Sequence, residues 1–360
     1  MFIEDSVTER MKPLMVKIAE EIKKASKIVI RYHNDADGIT GALAIYTALK
    51  PKRIFNYQNK GVTYDPSDAL SDIRNLQNEN NPLVILTDFS TNPESREARQ
   101  LIKKSGIPLI IIDHHPTDEN ILKETDVYLS PWELEGDSFY TAGWMCCEIA
   151  GVLGLNKEKK DELLKIALTG DKSIHYTPTE KDKEKAIVLD YIGIYSRFPN
   201  TLDFYESILN DKILFTSISS QAMEKLEEIT RVADKYTSLK EIENPKGNIK
   251  VAVLQLDKIV KRFSFPSKSK ASGAVFDKYD EDRPFVLIGY GERLMTIRVN
   301  IKAQELGAGG DIIVKKMKEN LPDLIMAGGG HPGASAMKIQ KESAKIIINE
   351  ILKTLKDELK

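Results

Sequence analysis

One acidic and two imidazole side chains, Asp113, His114 and His115, directly follow three consecutive isoleucines in the sequence. Three β-branched apolar residues in a row are typical of a strand that is buried on both faces, as in a parallel sheet. In open α/β sheets the ligand crevice lies at the carboxyl ends of the strands. The pattern therefore predicts that these side chains line such a crevice; a polar loop after a core strand is the alternative.

More carboxylates occupy comparable positions along the first half of the chain. Asp35 and Asp37 follow one apolar run, Asp88 ends a second, and Asp171 follows a third after one glycine. Each of these alone has an ordinary explanation, because Asp is a common helix cap and turn residue. Together, so many carboxylates on one rim would repel one another strongly unless a cation held them.

The mixture of ligand types restricts the cation. Ligation by Asp and His without a usable thiolate suits Mn²⁺, and suits Mg²⁺ less closely because of the imidazole. Two metal ions about 3.5–4 Å apart are the usual arrangement for phosphoester hydrolysis, in which one ion lowers the pKa of the attacking water. Both ions stabilise the charge that develops on phosphorus. The residues therefore predict a two-metal phosphoesterase.

The segments that must position these side chains alternate between strand and helix. Strands are predicted at 27–32, 83–87 and 108–112, with helices at 39–49 and 92–105 between them. This alternation predicts an α/β fold with a parallel, doubly wound sheet. Apolar residues at helical spacing predict three further helices, at 6–25, 141–153 and 161–168.

A charged helical region is predicted at 184–242, leading out of this first domain. The cluster Asn244-Pro245-Lys246-Gly247-Asn248 is rich in turn residues, so we place a domain boundary there. The expected domains are 1–243, which is catalytic, and 244–360, which binds substrate.

The second domain is predicted to be a smaller α/β unit that contains a glycine-rich segment. Gly328, Gly329 and Gly330 would let backbone N–H groups approach a ligand closely, and His331 adds a further donor; a flexible turn is the alternative. Arg298 lies on a predicted strand and offers a bidentate phosphate contact, or it is an ordinary surface arginine.

Length and composition are those of a two-domain globular protein. The chain has 360 residues, 41% hydrophobic and 29% charged, and its net charge of -2 requires any nucleic-acid surface to be local. Its two cysteines, Cys146 and Cys147, are adjacent in an apolar run, which favours a reducing compartment. No signal-peptide layout occurs, and no segment approaches the roughly 18 apolar residues of a membrane span. We therefore expect a cytoplasmic protein without a membrane partner.

Taken in order, the motifs resemble those of the DHH phosphoesterase superfamily. The Asp-Ala-Asp-Gly-Ile-Thr form of the first motif is most similar to RecJ-like single-strand nucleases, especially archaeal ones, and the glycine-rich segment resembles that of the DHHA1 accessory domain. The resemblance extends from about residue 25 to about residue 345. The four motifs are His33-Asn34-Asp35-Ala36-Asp37-Gly38, Asp88, Asp113-His114-His115 and Asp171.

The resemblance implies a role for each residue. Asp88 would bridge two metal ions, His115 would contact the scissile phosphate or lie just behind the metals, and Asp113 would orient an imidazole. The metal ligands would be Asp35, Asp37, Asp88, His114 and Asp171. The substrate's phosphates or terminal nucleotide would be held by Arg298, Gly328, Gly329, Gly330 and His331.

One position departs from the pattern of some branches. Those that act on small nucleotides or pyrophosphate usually carry a histidine four residues before the first motif Asp, where this chain has Arg31. His33 lies two residues before Asp35 instead. It either completes the coordination shell of one metal or only contacts water.

The function implied is a Mn²⁺-dependent phosphodiesterase, with Mg²⁺ as a substitute, that removes nucleoside monophosphates from single-stranded DNA or RNA or from short oligonucleotides. One alternative is hydrolysis of a small nucleotide, such as a cyclic or linear dinucleotide or a phosphorylated adenosine. Another is a structural partner of the replicative helicase. Every motif position holds a metal-competent residue, which argues against a purely structural role; replication or repair proteins remain expected partners.

Overall fold

The computed structural model describes residues 2–50, 54–116, 120–195, 197–261 and 264–357. The chain forms two compact units, Met1–Ser220 and Gln221–Lys360. The division falls inside the helix Lys212–Ala233. The boundary at 243/244 stays a prediction from the sequence.

The first unit is built on a five-stranded parallel sheet in the order β2-β1-β3-β4-β5. Its strands are β1 (Lys27–His33), β2 (Ile54–Asn59), β3 (Pro82–Thr87), β4 (Leu109–Ile112) and β5 (Val127–Leu129). Its helices are α1 (Ser6–Lys24), α2 (Ala36–Leu49), α3 (Pro66–Leu76), α4 (Arg96–Ser105), α5 (Ile121–Glu124), α6 (Ala142–Leu153), α7 (Lys157–Gly170), α8 (Glu180–Ile194) and α9 (Leu202–Asn210), followed by α10 (Lys212–Ala233). The predicted parallel α/β architecture is confirmed.

The central strands are apolar because both of their faces are covered. Alternate residues such as Val84 and Ile111 pack against apolar side chains of α3 and α4, including Ala69 and Ile102. Ile85 and its neighbours on the opposite face are buried as well. Continuous apolar runs of this kind are the signature of strands in a doubly covered parallel sheet.

The second unit contains a six-stranded mixed sheet in the order β10-β11-β9-β8-β7-β6, in which only the β7–β8 pair is parallel. Its strands are β6 (Thr237–Ile242), β7 (Ile249–Gln255), β8 (Phe285–Tyr290), β9 (Leu294–Val299), β10 (Ile325–His331) and β11 (Ala334–Ile339). Its helices are α11 (Leu256–Ile259), α12 (Lys268–Tyr279), α13 (Ile301–Glu305), α14 (Gly310–Asn320) and α15 (Ala344–Lys356). This smaller α/β unit is also as predicted.

One local prediction was wrong. The end of the expected helical region, at 237–242, is the edge strand β6, whose mostly exposed residues give little apolar alternation and whose conformation depends on pairing with β7. Gly328–Gly330 lie in strand β10 rather than in a turn. Among the described residues, no helix combines the length and apolarity needed to cross a membrane.

Candidate metal centre

The first motif lies at the junction of β1 and α2. Asp35 is the N-cap of α2 and accepts a hydrogen bond from the Gly38 amide at 3.2 Å. Asp37 follows in the first turn, is fully buried, and accepts a hydrogen bond through Oδ1 from the Gly143 amide of α6 at 3.0 Å. A Cβ on Gly143 would lie 2.6 Å from the Asp37 carbonyl oxygen, so the approach of α6 requires glycine there. This packing holds the Asp37 side chain in place through Oδ1. It leaves Oδ2 as the carboxylate oxygen that can bind a further partner.

Asp88 follows β3 in a strained conformation. Its φ of 67° and the φ of 84° at Ser90 are in the left-handed region, which non-glycine residues rarely adopt. The Asp88 amide donates to the carbonyl of Ile112 at 3.0 Å, which ties the turn to the end of β4. Strained residues of this kind cluster at functional sites.

Arg99, a fully buried residue of α4, holds the segment after Asp88. Its Nη1 donates to the carbonyl oxygens of Ser90 and Asn92, the latter at 2.9 Å. Its Nε donates to the carboxylate of Glu124 at 2.9 Å, which neutralises the buried guanidinium. Arg99 therefore positions the strained turn.

His114 follows β4 and is oriented by its backbone surroundings. Its Nδ1 lies 2.6 Å from the carbonyl oxygen of Ser138. A carbonyl oxygen can only accept, so Nδ1 carries the proton of the neutral ring and the lone pair is on Nε2. The Ser138 hydroxyl in turn donates to the carbonyl of His114 at 2.7 Å. Outer hydrogen bonds of this kind orient histidines that ligate metals.

Three carboxylates from three different segments lie around the Nε2 atom of His114. It lies 3.1 Å from Asp171 Oδ2, 3.3 Å from Asp88 Oδ1 and 4.0 Å from Asp37 Oδ2. One ligand atom from each of the four residues lies within 4.8 Å of every other. Asp171 reaches this group from the end of α7.

A second group shares Asp88 with the first. His33 Nδ1 lies 2.9 Å from Asp35 Oδ2 and 3.5 Å from Asp88 Oδ2, and the three residues again fall within 4.8 Å of one another. Asp88 thus presents one oxygen to His114 and the other to His33. Two adjacent groups joined by one carboxylate are the arrangement expected for a bridged pair of metal ions.

The buried carboxylates of the cluster favour the binding of positive charge, as protons or as a cation. Burial and the charges of Asp88 and Asp171 raise the pKa of Asp37 well above its ordinary value, and burial and Asp35 raise the pKa of Asp88. Burial opposes protonation of His114, but Asp171 and Asp88 raise its pKa well above the ordinary value. Among the described residues, Asp37 Oδ2, both Asp88 oxygens and His114 Nε2 are buried without a hydrogen-bond partner. A divalent cation fits these atoms and would replace the protons that the cluster otherwise attracts.

The second imidazole and its acid sit beside this cluster. Asp113 is fully buried and accepts hydrogen bonds from the His115 amide at 3.1 Å and from His115 Nδ1 at 2.8 Å. Although burial opposes it, His115 lowers the pKa of Asp113, so that carboxylate stays charged. His115 is itself about one-third exposed and lies 3.9 Å from Asp88 Oδ1. The ring is therefore fixed on one side and accessible on the other.

Arg31, at the position where other branches carry a histidine, faces away from this cluster. Its guanidinium donates to both oxygens of the buried Asp72 on α3, at 2.6 and 2.8 Å, and lies over the rings of Tyr57 and Tyr64. The residue thus braces α3 against β1. His33, two residues further along the chain, is the side chain that reaches Asp35 and Asp88.

The predicted substrate residues of the second unit share one row of its sheet. His331 of β10 pairs with Ala334 of β11, which pairs with Arg298 of β9. Side chains in one row of a sheet point to the same face, so His331 and Arg298 flank a small alanine. Arg298 is held by the carbonyl and hydroxyl of Ser269, at 3.0 and 2.7 Å.

Two of the three glycines beside His331 are required by the packing of the hairpin itself, whether or not a ligand approaches their backbone. Gly330 has a φ of 138°, and a Cβ there would lie 2.4 Å from the carbonyl oxygen of Ala334. A Cβ on Gly328 would lie 2.9 Å from Met337, whereas one on Gly329 would meet nothing within 4 Å. The hairpin therefore needs glycine at two of the three positions.

Three positioning residues were missed by sequence reasoning. Besides Arg99 and Ser138, the Asp190 carboxylate on α8 accepts from the Ala36 amide at 2.9 Å and so supports the first motif. Arg99 shares a helical stripe with the buried Ile102, which is the one signal that could have found it. Asp190 and Ser138 act over long sequence separations, for which a single sequence carries no pattern.

Comparison with known proteins identifies the first unit. Residues 27–170 match the model of the DHH family, N-terminal domain. Uncharacterised protein MJ1198 of Methanocaldococcus jannaschii is 25% identical over 426 residues, covering 99% of this chain and 55% of that protein. The chain therefore spans about half the length of this curated relative.

Two solved structures share the fold. The DHH domain of PF0399, described as a member of the s1p family of ribosomal proteins, is 24% identical with a TM-score of 0.86, covering 99% of this chain and 93% of that one. RecJ from Thermus thermophilus in complex with Mn²⁺ is 12% identical with a TM-score of 0.55, covering 99% and 55%. The resemblance to the DHH phosphoesterase superfamily is thus confirmed for the first unit, which also carries the acidic cluster that could hold metal ions.

We expect Mn²⁺ to raise the melting temperature of the wild-type chain, because a ligand at a hundredfold excess over its Kd stabilises by about 2.7 kcal/mol. Asp88→Asn should lose this shift while its metal-free melting temperature stays equal or rises, since one of several repelling carboxylates is removed and Asn tolerates a positive φ. Differential scanning calorimetry with and without EDTA measures both effects. The matched control is Glu180→Gln, which removes an exposed carboxylate elsewhere and should keep the full shift. A normal Mn²⁺ shift in Asp88→Asn would contradict the shared-ligand geometry.

Proposed function

We propose that this chain is a two-Mn²⁺ phosphodiesterase that removes nucleoside monophosphates from one end of single-stranded DNA or RNA, or of short oligonucleotides. The observation that carries the proposal is the shared Asp88, whose two oxygens lie between the His114 group and the His33 group. A bridged metal pair is suited to phosphoester hydrolysis, in which both the attacking and the leaving oxygen need stabilisation.

In this proposal, two sets of residues hold the ions. Bound ions would lower the pKa of the attacking water and stabilise the charge on phosphorus. Asp88 is common to both sets, and its strained turn is kept in place by Arg99. One set is Asp37, Asp88, His114 and Asp171, and the other is His33, Asp35 and Asp88.

His115 is proposed to contact the substrate rather than a metal. Its Nδ1 is engaged by Asp113, which leaves Nε2 as the ring nitrogen available to a substrate, in a side chain about one-third exposed. Although burial opposes it, Asp113 raises the pKa of His115, so the ring can carry a proton on both nitrogens and donate from Nε2 to a phosphate oxygen at little cost in conformational entropy. Asp113 acts through His115 and is a positioning residue.

The second unit is proposed to hold the phosphates of the strand. Arg298 supplies a guanidinium, which suits bidentate phosphate contacts, and His331 supplies an imidazole on the same face of the sheet. Ser269 anchors the arginine side chain. A pair of this kind recognises the backbone of a nucleic acid without reading its sequence.

We expect end-labelled DNA and RNA oligonucleotides, from dinucleotides upwards, to shorten from one end in the presence of Mn²⁺ and to release nucleoside monophosphates. EDTA should stop the reaction. Asp88→Asn should slow it by more than the roughly 10–100-fold that loss of an outer-shell partner costs, and Glu180→Gln should leave it unchanged. Product length over time on denaturing gels gives the polarity and the sugar preference. Cleavage of dinucleotides alone would instead indicate turnover of small nucleotides, and activity that survives EDTA would exclude a metal mechanism.

His331→Ala should raise the KM for oligonucleotides about tenfold or more with a smaller effect on kcat, because a hydrogen bond to a charged phosphate contributes about 1.5–3 kcal/mol. Steady-state kinetics on a fixed oligonucleotide measures both constants. Lys338→Ala on β11 removes an exposed positive charge from the same hairpin and should have little effect. Equal changes in the two variants would mean that only general charge matters.

A further inference from the structure

Trp132 lies beside the metal centre with a large part of its surface exposed. It begins the short 3-10 turn Trp132–Leu134, three residues beyond the carboxyl end of β5. The residue is 36% exposed, whereas Trp144, the second tryptophan of the chain, is fully buried. An exposed tryptophan at the rim of a ligand crevice calls for an explanation, because this side chain has a large apolar area to bury.

The indole of Trp132 is held in a fixed orientation by the backbone of His114. Its Nε1 donates to the carbonyl oxygen of His114 at 2.9 Å and lies 3.3 Å from the hydroxyl of Ser138. That hydroxyl donates to the same carbonyl. The one polar atom of the indole is therefore engaged, and the part of the ring that reaches solvent is carbon.

The surroundings of the ring disfavour a phosphate at this point. Glu133 and Glu135 are exposed acids on either side of Leu134; Glu135 pairs with Arg10 at 3.6 Å, so this segment keeps one excess negative charge, on Glu133. Negative charge next to the ring repels the phosphates of a nucleic acid but not its bases. What a rigid, flat aromatic surface with no free donor does bind well is the face of another ring, and stacking of this kind tolerates any base.

We propose that Trp132 is a stacking platform for a nucleobase of the substrate, the base of a nucleotide next to the phosphate at the metal centre. The proposal rests on the function proposed above and specifies a subsite for it. Because stacking on the indole reads no hydrogen-bond pattern, the subsite accepts any of the bases. Removal of the indole ring is expected to weaken binding of the strand and to leave metal binding intact.

Intrinsic fluorescence tests the platform directly, since each tryptophan can be observed alone. In the Mn²⁺-loaded chain, with strands whose phosphorothioate linkages resist hydrolysis, Trp144→Phe leaves Trp132 as the reporter and Trp132→Phe leaves Trp144. The titrants are a single-stranded oligothymidylate and an abasic strand of the same length and charge. We expect the oligothymidylate to quench Trp132 and not Trp144, and the abasic strand to quench neither. Equal quenching by both strands, or none at all, would overturn the proposal.

Steady-state kinetics separates stacking from a purely structural role. Trp132→Ala should raise the KM for oligonucleotides roughly tenfold to a hundredfold, whereas Trp132→Phe, which keeps a ring but loses the bond to His114, should retain most of the affinity. The Mn²⁺-induced rise in melting temperature should persist in both variants. If Trp132→Phe raises the KM as much as Trp132→Ala does, or if the Mn²⁺-induced rise in melting temperature disappears, the ring serves only to support His114.

A strand with one abasic nucleotide, moved along the substrate, locates the base. At one position the wild-type enzyme should lose about as much kcat/KM as Trp132→Ala loses on the intact strand, and the two losses should not multiply. Multiplying losses at every position would contradict stacking. If the wild type hydrolyses no oligonucleotide, the proposed nuclease function fails, and the fluorescence titration still decides whether Trp132 binds a base.

Discussion

The structure depends on the burial of several carboxylates at one edge of a parallel sheet. Asp37 and Asp88 are almost completely removed from water; besides burial, Asp88 raises the pKa of Asp37 and Asp35 raises the pKa of Asp88. Burying charges without compensation costs several kcal/mol per ion, so the cluster is stable only with protons or a cation. The arrangement therefore fits a metal centre in which the buried carboxylates repel one another when no cation is bound.

Much of the first unit holds these groups in position. The amide of Asp88 bonds to the end of β4, and the buried Arg99 fixes the turn that follows. Ser138 selects the tautomer of His114, and Asp190 supports the start of α2. Apart from the Arg99 contacts, which are local in sequence, these contacts join segments far apart in the chain, so the geometry of the cluster is a property of the tertiary fold. Rigid support of this kind is what a reactive centre requires, since small displacements of ligands are costly.

The positions of the candidate ligands could be predicted because they follow from local pattern. Apolar runs identify β1, β3 and β4, and the residues that end parallel strands meet at one edge of the sheet, so the convergence of Asp35, Asp88 and His114 was foreseeable. The contribution of His33 to the cluster depends on the exact path of the chain after β1, which spacing alone left open. Weakly patterned strands such as β6, and supports such as Asp190, depend on partners distant in sequence.

The most direct test of this account is the anomalous diffraction of crystals grown with Mn²⁺ and measured at the manganese edge. The account predicts two peaks, one among Asp37, His114 and Asp171 and the other beside His33 and Asp35, with the carboxylate of Asp88 between them. A single peak that leaves Asp88 uncoordinated, or no peak at the cluster, would contradict the claim that a shared carboxylate organises a two-metal centre.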